Sequence, residues 1–169
     1  MTTSGQRRHL FISHHHQDDS LVDKFTNLLG GNGWDVRNSS IRAKPANQKR
    51  LERGLVKDAV IRRLLRMKIS WASTFVVLIG EKTHTRPWVN WEIDQANAQG
   101  KRIVGVFERG GKNSDIPKSL EKYASAIVGW NTNSIQRAVD GGENLFENPD
   151  GSTRSPVNAS VTCTNVFDS

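Results

Sequence analysis

A parallel α/β domain is the fold this sequence predicts, on three observations. Short apolar runs rich in β-branched and aromatic residues recur along the chain, stretches with helical spacing separate them, and the two kinds alternate through most of its length. Parallel neighbours need long crossover connections, and those crossovers are right-handed. Regular alternation of strand and helix therefore builds one sheet covered by helices on both faces.

The elements follow in order. "RHLFIS" (8–13) is the first strand, and residues 18–30 carry Leu21, Phe25, Leu28 and Leu29 at helical spacing. After a Gly-Gly-Asn-Gly turn, "GWDVRN" supplies a short strand at 34–37. A helix is expected over about 47–70, then the strand "TFVVLIG" (74–80), a helix over 87–99 and the strand "KRIVGVF" (101–107). "ASAIVGW" (124–130) is the last strand and "SIQRAVDG" a short closing helix. Beyond Asn131 the composition shifts towards Gly, Asn, Ser and Pro, leaving too little apolar surface to offset the entropy of ordering it. The domain is expected over 1–150, and 151–169 as a loose C-terminal tail.

Composition narrows the function classes. At 169 residues, with 36% hydrophobic and 24% charged residues, the chain suits one domain. Cys163 is its only cysteine, so neither a disulfide framework nor a CxxC zinc pattern exists, and a reducing cytoplasm fits. The N-terminus lacks an apolar signal region, and no run approaches the roughly 18 apolar residues of a membrane span. A soluble cytoplasmic protein with no membrane partner is expected. The net charge of +7 raises nucleic acid as a partner. Much of that charge lies between Arg42 and Lys68, mixed with aliphatic residues and without interleaved aromatics on which bases could stack. It reads as the solvated face of an amphipathic helix, and nucleic acid is not an expected partner.

Two stretches carry candidate chemistry. "FISHHHQDDS" (11–20) sets three histidines at the carboxyl end of the first strand, where open α/β sheets bind ligands. Adjacent strand residues point to opposite faces, so three neighbours converge poorly on one ion; the histidines read as a pocket rim and no metal is expected. Asp18 and Asp19 suit the start of the following helix. In "RPWVNWEIDQA" (86–96), Pro87 fits the first helical position and Trp88 lies four residues before Glu92, on the same helix face. Spacing alone leaves two readings open: a core tryptophan with a surface acid, or an aromatic plate beside a carboxylate at the crevice.

"FIS" on the first strand, "VVLIG" on the third, and a Trp followed four positions later by "EI" resemble the TIR domain. More closely, "FISHHHQDD", "VVLIGEKTHTRPWVNWEI" and "GKRIVGVF" resemble the TIR-like proteins of the bacterial Thoeris antiphage defence system, over about residues 8–140. The closing "IVGWNTNSIQRAV" fits the same pattern. The resemblance implies a flavodoxin-like, five-stranded parallel sheet of order 2-1-3-4-5. It also implies an NAD+ glycohydrolase or cyclase that breaks the nicotinamide–ribose bond, with NAD as substrate and no cofactor. The product would be an ADP-ribose-type signal, often cyclic, that diffuses to a cognate effector. Glu92 matches the catalytic glutamate. Phe11, Ser13, His14 and His15 match the first-strand rim of the substrate pocket, and Trp88 the aromatic before the glutamate. "RNSSIRAKPAN" occupies the place of the loop that covers the nucleotide; Asn38 stands where relatives often carry Asp, while Ser40 keeps a hydroxyl near the pocket. Because TIR domains also associate with one another, a catalytically silent interaction module is the alternative. The chemistry is simple: the bond breaks through an oxocarbenium-like state that one carboxylate can stabilise, and nicotinamide already leaves from a cationic form.

Overall fold

The computed structural model describes residues 7–14, 19–31, 33, 35–38, 58–140 and 142–154. The chain forms the predicted α/β arrangement, a parallel sheet flanked by helices. Its strands are β1 (Arg7–Ser13), β2 (Asp35–Asn38), β3 (Thr74–Ile79), β4 (Arg102–Phe107) and β5 (Ala126–Val128). They lie side by side in the order β2-β1-β3-β4-β5, and every pairing is parallel. The helices are α1 (Asp19–Gly30), α2 (Asp58–Trp71), α3 (Pro87–Ala98), α4 (Lys118–Tyr123) and α5 (Thr132–Val139).

Strand periodicity divides the core in two. Successive side chains point to opposite faces, so Phe11 joins Ile61, Leu65 and Ile69 of α2 and Val89 and Ile93 of α3 on one side. Leu10 and Ile12 join Leu21, Val22 and Phe25 of α1 and Ile135 of α5 on the other. β3 is buried at all six positions, as expected of a central parallel strand with helices on both faces. At Gly105 in β4, a Cβ would come within 2.8 Å of Leu120 and 3.2 Å of Ile79, so the absence of a side chain lets α4 lie close to the sheet.

α4 was not apparent in the sequence, because six residues behind Pro117 carry hardly more than one turn of periodic signal. Its exit through Ala124 also shortens the last strand from the expected 124–130 to Ala126–Val128. The helix expected from residue 47 is observed from Asp58, and residues 47–57 lie outside the described residues. The expected loose tail falls mainly on 155–169, also outside them. Residues 146–154 are tied back: the Arg154 N–H donates to the Phe146 carbonyl at 2.8 Å, and the Glu147 N–H to the Ile127 carbonyl at 2.8 Å. Glu147 also accepts from the Gly129 N–H (3.1 Å) and the Ser134 hydroxyl (2.9 Å), tying this segment to β5 and α5. α2 carries a second apolar line, Val60, Leu64, Met67 and Trp71, which faces solvent.

Candidate active site

Two elements converge at the carboxyl end of β1. Ser13 ends that strand with the same parity as Phe11, so its side chain points towards α2 and α3. The glutamate arrives by a short, well-tied turn. Thr83 is fully buried; its hydroxyl oxygen accepts from the Gly80 N–H at 2.8 Å and donates to the Leu78 carbonyl at 3.2 Å, folding the chain as it leaves β3. Arg86 is extended, and Pro87 opens α3 where its missing N–H costs nothing. Val89, Ile93 and Ala96 then form the core stripe of α3, and Glu92, three residues after Val89, is drawn inside beside them.

The result is a buried hydroxyl–carboxylate pair. Ser13 Oγ donates to Glu92 Oε2 at 2.7 Å, with the serine 1% and the glutamate 2% exposed. A carboxylate removed from water is costly unless hydrogen-bonded, and the serine hydroxyl both satisfies and orients it. His14, next in the chain, is 2% exposed and its Nδ1 lies 3.1 Å from the Ile12 carbonyl oxygen. Because a carbonyl only accepts, that contact places a proton on Nδ1 and fixes the ring.

The expected pocket residues fall in different places. Ser13 and Glu92 are brought together, with His14 adjacent in sequence. Phe11, expected at the rim, has no exposed surface and stacks on Phe75, ring centroids 5.1 Å apart and planes 9° from parallel. Trp88 is partly buried and lies edge-to-face with Trp91 at 5.5 Å. The Arg62 guanidinium sits 5.7 Å from both rings, and Arg66 lies 5.6 Å from Trp91 while donating to Gln95. Trp88 is thus held between α2 and α3, where cation–π attraction joins two helices. His15 and Ser40 lie outside the described residues. The sequence reading missed Thr83, whose only signal is a hydroxyl three residues after Gly80. It also missed that α2 cations fold onto α3 aromatics. Among the described residues, no group of three or more His, Cys, Asp or Glu is placed to hold a metal, and no helix is long and apolar enough to cross a membrane.

The parallel α/β architecture and a family match together place the chain in the TIR-like class. The chain belongs to the family of the Thoeris protein ThsB, TIR-like domain, whose model matches residues 11–113. No curated protein matches the chain. Among solved structures it is similar to the CMP N-glycosidase BcmB of Clostridium botulinum, with 16% identity and a TM-score of 0.46, over 79% of this chain and 98% of that one.

Proposed function

We propose that this domain is an NAD-consuming enzyme that cleaves the nicotinamide–ribose bond and releases a cyclic ADP-ribose-type signal, which activates a cognate effector in antiphage defence within the cytoplasm. Membership of the Thoeris TIR-like family supports the reading. The single observation that carries it is Glu92, held inside the protein by the Ser13 hydroxyl at 2.7 Å.

The proposed reaction uses that pair directly. The C–N bond to nicotinamide breaks, its electron pair passes to the ring nitrogen, and neutral nicotinamide departs. The ribose is left with oxocarbenium character, and the Glu92 carboxylate stabilises the growing positive charge. Water completes hydrolysis; attack by another nucleophilic atom of the same ADP-ribose completes cyclisation. Ser13 keeps the carboxylate aimed. His14 and, from outside the described residues, His15 and Ser40 are assigned to the rim that holds the dinucleotide.

The test is direct. Purified protein incubated with NAD should release nicotinamide, and Glu92→Gln, which keeps shape and deletes charge, should lower the rate about 100-fold or more. Protein-free filtrate from the active reaction should switch on the effector, and filtrate from the variant should not. If the effector responds only to the intact protein, and equally to the variant, an interaction module replaces the enzyme.

A further inference from the structure

We propose that the groove between α1 and the carboxyl ends of β4 and β5 is a second binding site, for a nucleoside phosphate, separate from the Glu92 crevice. The groove is about 590 Å³ and is lined by Leu28, Lys24 and Asn27 from α1, Glu108 and Arg109 after β4, and Trp130 after β5. That volume lies within the roughly 300–1,000 Å³ usual for small-molecule sites. Its position at strand carboxyl ends is where open α/β sheets place ligands.

The lining has the chemistry of a nucleotide site. Trp130 is half-buried and braced edge-on by the fully buried Phe25, centroids 6.1 Å apart, so an indole that still reaches the groove is held fixed. With Leu28 it offers a flat apolar wall for a base. Lys24 and Arg109 are exposed at the groove. Two such cations at the rim suit a phosphate, the guanidinium by its fork of donors and the ammonium as a point charge. The Asn27 amide can both donate to and accept from a base edge. Two cations in the described lining favour a phosphate-bearing ligand over the bare nucleoside.

The residues that wall this groove pack on the face of the sheet opposite the helix that carries Glu92. Leu21, Phe25, Leu28 and Trp130 pack with the Leu10–Ile12 side, whereas Phe11 and the helices carrying Glu92 belong to the opposite side. The proposal does not rest on NAD being the substrate, and its test uses no turnover. AMP, adenosine and inorganic phosphate are titrated by calorimetry into the wild type, the Lys24→Ala/Arg109→Ala double variant and Glu92→Gln. AMP should bind saturably, adenosine about tenfold or more weakly than AMP, and the double variant should weaken AMP by about tenfold or more with its melting temperature unchanged. Glu92→Gln should bind AMP as the wild type does. No saturable binding at millimolar AMP, an affinity the double variant keeps within about twofold, or binding that Glu92→Gln abolishes would each overturn the proposal.

Discussion

Replacing Ser13 with alanine removes one hydroxyl and with it the 2.7 Å hydrogen bond to Glu92. At 1% exposure the site offers water little room to substitute. A hydrogen bond to a charged group contributes about 1.5–3 kcal/mol. If that free energy serves to hold the carboxylate where ribose charge develops, then at about 1.4 kcal/mol per tenfold the rate should fall about 10- to 150-fold. The loss should appear in kcat with KM little changed, because the interaction matters most in the transition state. Nicotinamide release measured over a range of NAD concentrations separates the two. A thermal melt is the control, since a partly desolvated carboxylate also destabilises the fold by about 1–3 kcal/mol, and 1 kcal/mol is roughly 2–4 °C at this chain length. Undiminished kcat in a folded Ser13→Ala protein would refute the positioning role. A rise in KM alone would make Ser13 a substrate contact instead.

Three further outcomes are expected. Leu65→Ala, at 1% exposure and facing the core, should cost about 2–5 kcal/mol in denaturant melts, whereas Leu64→Ala, its 37% exposed neighbour, should stay within about 0.5 kcal/mol. Nicotinamide release should survive exhaustive chelation; activity lost with stoichiometric zinc and restored by its return would make the histidine run a metal site after all. The double replacement Ser13→Ala with Glu92→Met should melt at or above the wild-type temperature and release no nicotinamide, because exchanging both members of a buried polar pair for apolar groups is near neutral or stabilising. A strongly destabilised double variant would make the pair a structural element of the fold.

Much of this was legible in the sequence, for reasons visible in particular residues. The short runs 8–13 and 74–80 announced strands because apolar, β-branched and aromatic residues cluster in them. Pro87 marked the start of α3 to the residue. α4 stayed hidden, since a six-residue helix has no period to display. For the site, parity along β1 put Phe11 and Ser13 on one face, but depth along the strand decided their fates. Phe11 lies beside Phe75 in register and disappears into the core, while Ser13, two residues later, reaches the helix that carries Glu92. Spacing on α3 could not tell that Arg62 would claim Trp88, because that contact joins helices separated by β3.

Comparison with the other acids also favours Glu92 as the proposed reactive group. Among the residues whose side chains are described, the buried carboxylates are Glu92 and Asp115. Asp115 serves the local backbone, accepting from the Lys112 N–H at 3.1 Å and closing the short turn 113–115. Glu81, before α3, and Asp94, on its outer side, are exposed, and water would screen the charge they present. Glu92 instead lies beside Ile93 in the core of α3 and meets a hydroxyl from a strand 79 residues earlier. An apolar residue there would suit the helix at least as well, so packing gives no reason for a carboxylate. The proposed chemistry does, because a carboxylate shielded from water and oriented by hydrogen bonding stabilises a developing cation more strongly than an exposed one can.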